Sequence, residues 1–283
     1  MEGSQSDCYN TDAFNSSFVA EFYDGYSLKN LVDFLRRINP TALFRFTPER
    51  IQCLHHDPEG KNILAHVNIE SKELYKYNLK TPKGDKLDIG INLRDLQKFI
   101  KSIGKKDSLT IYKKKGESPI YIQIANSSNK GSPGNFSVLR PCKVDPLDIL
   151  IPKYNMDESR PSLVIPASSV SSTFNVLNVL KSSTVRICVK DNNLNIDNLT
   201  DDRSSGRVDT FPMRVYNGQQ VSYEISVRVS ALKCLTKLNN LSPNGLLKFY
   251  LENDEEEEPL PIKIMGKINS WGELTIYLSS TEV

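Results

Sequence analysis

The sequence predicts an α+β protein of two similar halves, each with two helices on one face of antiparallel sheets. Three observations carry this. One scheme recurs four times along the 283 residues: an extended segment, a helix, then alternating strands. Apolar spacing switches accordingly between a helical period and strict alternation. Near the middle, Lys143 to Pro161, with Pro146, Pro152 and Pro161, follows neither period and reads as a linker.

The first fifteen or so residues are polar and aperiodic, so a disordered tail is expected over 1–16. The first helix is expected over Ser27–Ile38. Leu28, Leu31, Val32, Leu35 and Ile38 form its apolar stripe, while Lys29, Asp33, Arg36 and Arg37 face away. Asn39-Pro40 stops it, since proline disfavours helical geometry in the residue before it. The second runs Leu93–Ile103, with Asn92 as N-cap, Gly104 past its end, and Leu93, Leu96, Ile100 and Ile103 buried. The third follows Pro166 and buries Val170, Phe174, Leu177 and Leu180. The fourth, Ser230–Leu238, buries Ala231, Leu235 and Leu238. Between them Ile63, Ala65, Val67 and Ile69 alternate, as do Ile120, Ile122 and Ile124, and Val185, Ile187 and Val189. Leu247, Phe249 and Leu251, then Leu274, Ile276 and Leu278, repeat the pattern late in the chain. Turn residues at Asp191-Asn192-Asn193, Asn217-Gly218 and Pro243-Asn244-Gly245 imply antiparallel meanders. The expected domains are 17–144 and 162–283, joined by a connector over 145–161.

A hydrophobic content of 39% and a charged content of 25% suit a globular protein with real cores. No apolar run approaches the ~20 residues that span a bilayer, so no membrane partner is expected. Met1-Glu2-Gly3-Ser4 lacks the pattern of a secretory signal. Cys8, Cys53, Cys142, Cys188 and Cys234 are odd in number and scattered, which reads as free thiols in a reducing compartment. The net charge of +2 names no partner, but its arrangement is informative.

Arg94, Lys98, Lys101 and Lys105 are spaced four, three and four apart, one row along a helical face with no intervening acid expected to neutralise it. Lys29, Arg36 and Arg37 lie on the outer face of the first helix, and Lys233 and Lys237 on the fourth. One such helix is ordinarily a solvated face; the same feature on three of four points to a surface for phosphates. The acidic run Asp254 to Glu258 is expected to be a solvated loop. Cys53-Leu54-His55-His56-Asp57 has metal-ligating residue types, but neighbours on a strand point to opposite faces and no second cluster has zinc spacing. His66 is isolated in a strand. No GxSxG, P-loop, GxGxxG or zinc-hydrolase signature occurs, so neither enzyme activity nor a metal or cofactor is expected.

Four passages in order resemble the proliferating-cell-nuclear-antigen family of DNA sliding clamps. They are Leu28 to Arg36; Gly90-Ile91-Asn92-Leu93 with Leu96 to Lys101; Val144-Asp145 through Ile149-Leu150-Ile151-Pro152; and Pro259-Leu260 with Gly272 to Leu278. The resemblance implies a non-enzymatic polymerase processivity factor on double-stranded DNA. Three copies would close head to tail into a ring with all helices lining the hole. Candidate joining edges are Asn135 to Lys143 on one subunit and Val208 to Tyr216 on the next. By position Arg36, Lys98, Lys101 and Lys237 would face phosphates, joined by Arg94, Arg37 and Lys233. The family's groove for aromatic-anchored peptides of DNA polymerase and other partners would comprise Ile149, Ile151, Pro152 and either Tyr154 or Met156, with Pro259, Tyr277 and Ser279. His56, Ile63 and Ala65 would form its floor, although ordinary core explains Ile63 and Ala65 equally well.

The chain also departs from the family. Ser171, Ser172, Asn175 and Asn178 stand where its third helix is often basic, the N-terminal tail is extra, and the chain is not acidic overall. Ser279-Ser280 replaces an ending of a small residue plus proline. These departures suggest a divergent clamp, from a large DNA virus or a checkpoint ring, acting in the nucleus or at a cytoplasmic viral replication site. The alternatives are a monomeric or dimeric processivity factor of the same domain fold, and an enzyme with an unrecognised site.

Overall fold

The computed structural model describes residues 16–60, 62–80, 86–125, 135–177, 183–198, 207–213, 222–241 and 245–281. The chain begins β1 (Ser16–Phe22), α1 (Gly25–Ile38), β2 (Thr41–Phe46), β3 (Arg50–His56), β4 (Ile63–Glu70), β5 (Lys76–Leu79), β6 (Leu87–Asn92) and α2 (Leu93–Ile100). It continues β7 (Ser108–Lys114), β8 (Ile120–Ala125), β9 (Asn135–Leu139), β10 (Leu163–Pro166) and α3 (Ala167–Leu177). Then come β11 (Thr184–Lys190), β12 (Asn193–Asn198), β13 (Arg207–Pro212), β14 (Glu224–Arg228) and α4 (Val229–Leu235). Last are α5 (Leu238–Leu241), β15 (Leu246–Tyr250), β16 (Ile262–Ile268) and β17 (Gly272–Leu278). These form two compact units: Met1–Arg36, Pro40–Cys53 and Asn68–Pro146, and Arg37–Asn39, Leu54–Val67 and Leu147–Val283. The expected N-terminal tail lies outside the described residues, except for Ser16.

In the first unit an antiparallel sheet runs in the order β5-β1-β7-β8-β9. Alternation along β8 sends Ile120, Ile122 and Ile124 into the core, each no more than 2% exposed. β9 ends this sheet, and Phe136 and Val138 on it are 54% and 44% exposed. β2 pairs with β6, aligning Ala42 with Ile91 and Phe44 with Ile89, and with β3 at Phe46 and Ile51.

α1 begins two residues before the expected Ser27. Asp24 explains the earlier start, because its carboxylate accepts from the Ser27 backbone N–H at 3.0 Å and from the Ser27 hydroxyl, satisfying donors that a helix start leaves open. Its buried stripe holds the five expected residues and also Phe34, fully buried. α2 is capped as expected, Asn92 accepting from the N–H groups of Arg94 and Asp95 at 3.0 and 3.3 Å. It ends at Ile100, three residues early, and Ile103 is held by a further turn in which its N–H reaches the Ile100 carbonyl.

Gly90 on β6 lies against the chain leaving β9. The Cys142 N–H donates to the Gly90 carbonyl at 2.9 Å, and a Cβ at position 90 would stand 2.1 Å from the Cys142 carbonyl oxygen. Backbone cannot move aside as a flexible side chain can. Gly90→Ala should therefore lower unfolding stability by about 1–3 kcal/mol, the usual cost of overpacking. A urea melt checks this, and an unchanged midpoint would show that the segment yields freely.

In the second unit one antiparallel sheet runs β10-β15-β16-β17-β4 and another β13-β12-β11-β14. Leu247, Phe249, Leu251, Leu274, Ile276 and Leu278 are all at most 5% exposed. β11 departs from alternation. Val185, Ile187 and Cys188 are buried while Val189 is half-exposed, so the period breaks at Cys188. α3 packs against α4 and α5. Val170 and Phe174 are buried as expected, whereas the Leu177 side chain and Leu180 lie outside the described residues. The single expected fourth helix is instead two, α4 and α5. A tight turn at Thr236-Lys237, with the Lys237 N–H on the Cys234 carbonyl, separates them. β13 ends its sheet. Among the described residues no helix is long and apolar enough to cross a membrane.

Candidate nucleic-acid interface and partner groove

The first unit brings six of the expected phosphate-facing cations onto or beside α1 and α2, in unequal states. Lys29 is committed to the protein. Its Nζ donates to the carbonyls of Lys101 and Ile103, at 2.9 and 3.0 Å, and lies 5.2 Å from the centre of the Tyr26 ring. It thus satisfies carbonyls at the C-terminal end of α2, where a cation is favoured. Arg36 pairs with Asp33 at 3.2 Å, and Asp33 also accepts from Gln97 Nε2 at 2.8 Å, linking α1 to α2. The row on α2 is not free of acids as expected, since Asp95 sits 2.9 Å from Lys98 Nζ. The i,i+3 spacing places the two side by side. Arg94, Lys101 and Lys105 are exposed and make no ion pair among the described residues.

In the second unit Lys233 on α4 is exposed, Lys237 just beyond it is half-buried, and Arg37 is exposed. The Cys234 thiol donates to the Arg37 carbonyl at 3.5 Å, which ties α4 to this short piece of chain. α3 presents Ser168, Ser172 and Asn175 outward and no cation.

The second unit also carries a groove of about 260 Å³, lined by His56, Asp57, Asn62, Ile63, Leu64, Ile149, Leu150, Pro152, Pro261, Tyr277 and Ser279. Six of the expected peptide-binding residues line it: His56, Ile63, Ile149, Pro152, Tyr277 and Ser279. Four do not. Ala65, fully buried, belongs to the core. Ile151 is 37% exposed, outside the lining, while its neighbour Leu150 lines the groove and is 93% exposed. Pro259 bridges to Asn253, and Pro261, two residues on, forms the wall. Tyr154 stands one layer back, its ring 6.1 Å from that of Tyr277 and its hydroxyl donating to the Pro261 carbonyl.

Two tyrosines hold that wall from behind, since the Tyr223 hydroxyl likewise donates to the Leu260 carbonyl. Burial, then the neighbouring Tyr277 and the Glu252 carboxylate, push the Tyr154 hydroxyl well above its ordinary pKa. Burial and then Tyr154 do the same to Tyr223. Both therefore stay protonated and remain donors across the physiological range. The groove combines apolar walls with a few polar groups, an arrangement that fits an apolar anchor on an extended peptide.

Asp57, Asn62, Leu64, Leu150 and Pro261 are lining residues that sequence reasoning missed. Pro259 and Pro261 offered the same signal, and only the start of β16 distinguishes them. His55 is 2% exposed and His56 lines the groove, on opposite faces of β3. Among the described residues no group of three or more His, Cys, Asp or Glu side chains could hold a metal ion. The acidic run is exposed, with Asp254 Oδ1 accepting the N–H groups of Glu256 and Glu258, each at 2.9 Å.

No family model matches the sequence, and no curated protein matches it. Among solved structures, the chain matches the proliferating cellular nuclear antigen from Entamoeba histolytica with a TM-score of 0.76 at 15% sequence identity, covering 94% of this chain and 100% of that one. At that identity the likeness is one of fold, and the fold is clamp-like.

Proposed function

We propose that this chain is a sliding clamp: a non-enzymatic ring subunit that encircles duplex DNA and docks polymerase and other replication proteins. The observation that carries the reading is the likeness of fold to proliferating cellular nuclear antigen across 94% of the chain. Exposed Arg94, Lys101, Lys105 and Lys233 supply contacts to phosphates, with Arg36, Arg37, Lys98 and Lys237 beside them. Lys29 acts through the helix end it caps. Phosphate contacts carry no base information, as sliding requires. The groove lined by Ile149, Pro261 and Tyr277 takes the partner peptide. Three copies join through β9 of one subunit and β13 of the next, two strands that each end their sheet among the described residues.

Solution mass tests the assembly. At micromolar concentration and near-physiological salt, sedimentation should give three times the 32.0 kDa of one chain. A mass of one or two chains would overturn the closed ring and favour an open processivity factor that binds DNA on a basic face.

A further inference from the structure

The connector ends in an anchor built around one buried ammonium. Lys263, on β16, is 7% exposed, and an ammonium so buried needs an ion partner and polar or aromatic neighbours. Its Nζ lies 2.7 Å from Glu158 Oε1 and 5.3 Å from the ring centres of both Tyr154 and Tyr250. Glu158 and Tyr154 belong to the connector, so the ion pair and one face of the cation–aromatic sandwich exist only while the connector is seated. Three further bonds converge there. The Tyr250 hydroxyl donates to the Glu158 carbonyl at 2.6 Å, and the Glu252 carboxylate accepts from the N–H groups of Asn155 and Met156 at 2.8 and 3.1 Å. Just upstream, 147–153 has no regular secondary structure and supplies Ile149, Leu150 and Pro152 to the groove.

We propose that Lys263 is a positioning residue for the groove: it lines no part of the pocket, but by fixing Tyr154 and Glu158 it sets where the segment carrying Ile149 and Leu150 lies. This rests on the groove being a peptide site. The occupant would meet a wall whose position depends on an ion pair one layer behind it. Apparent affinity then scales with the fraction of molecules whose connector is seated.

The test uses the full chain with Lys263→Met, Glu158→Gln and the double variant. Methionine retains much of the buried volume, and the Glu158 carboxylate left without its partner is 64% exposed and can be hydrated, so the melting temperature should stay near wild type. Trypsin cleavage of the Lys153–Tyr154 bond reports connector opening without any ligand. Affinity for a fluorescein-labelled peptide of about twelve residues carrying a Phe–Phe pair reports the groove. If the seated fraction falls to about a tenth, the peptide Kd rises about tenfold and cleavage rises at least as much. The double variant should match Lys263→Met, because the two side chains act as one unit. Unchanged cleavage in both single variants would overturn the anchor. Faster cleavage with unchanged peptide affinity would overturn its positioning role. A wild-type protein that binds no such peptide would overturn the groove reading, leaving the anchor standing on its cleavage rates.

Discussion

Replacing Ile149 with Asp should weaken binding of an aromatic-anchored peptide by about 100-fold or more, with the fold intact by circular dichroism. The new carboxylate would have to be desolvated beneath an incoming ring, at a cost of several kcal/mol. Ile151→Asp is the informative companion. Ile151 does not line the groove and is already 37% exposed, so its carboxylate can stay in water and the loss should be tenfold or less. Fluorescence anisotropy on both variants reads the difference. Equal losses, or none at Ile149, would move the partner site elsewhere.

The second large effect is expected on DNA. Arg94 and Lys101 are exposed and two helical turns apart, on the face of α2 opposite Leu96 and Ile100. Changing both to Ala should leave stability within about half a kcal/mol. Removing two phosphate contacts should flatten the log–log salt dependence of duplex binding by up to ~2 units per subunit. The loss should be alike on every sequence, since backbone contacts carry no base information. Lys98→Ala should do less. Its ammonium is shared with Asp95, an exposed pair worth about 0–1 kcal/mol. A salt titration on a short duplex separates the cases; identical slopes for wild type and the double variant would leave this row as mere solvated surface.

These variants differ from those the bare sequence suggests, and the reasons are physical. Where burial imposes a period, the sequence is legible: Ile120, Ile122 and Ile124, or Leu28 through Ile38, had to sit on one face because only one face is apolar. Asp24 is hard to read as a cap from the sequence, because Gly25 and Tyr26, which follow it, are not strong helix formers. The fourth helix seemed continuous because Leu235 and Leu238 keep the helical period through the turn that breaks it. Lys29 could not be discounted, since the carbonyls that engage it lie over seventy residues away. Asp95, three residues before Lys98, is by contrast legible from the sequence as its ion partner. In the connector no period exists, so nothing local could say that Leu150 lines the groove and Ile151 does not.

If the proposed ring closes through the two sheet ends, β9 in one unit and β13 in the other, each protomer is a two-ended monomer in the polymer chemist's sense, with unlike ends. Under head-to-tail closure no protomer can cap itself or complete a partner by twofold symmetry. A variant disabled only at β9 would still offer a competent β13. Mixed with wild type, it would terminate growing chains and leave open fragments, each consuming functional protomers. Such a variant would act as a substoichiometric poison of assembly, a dominant effect that loss of both ends together would not produce.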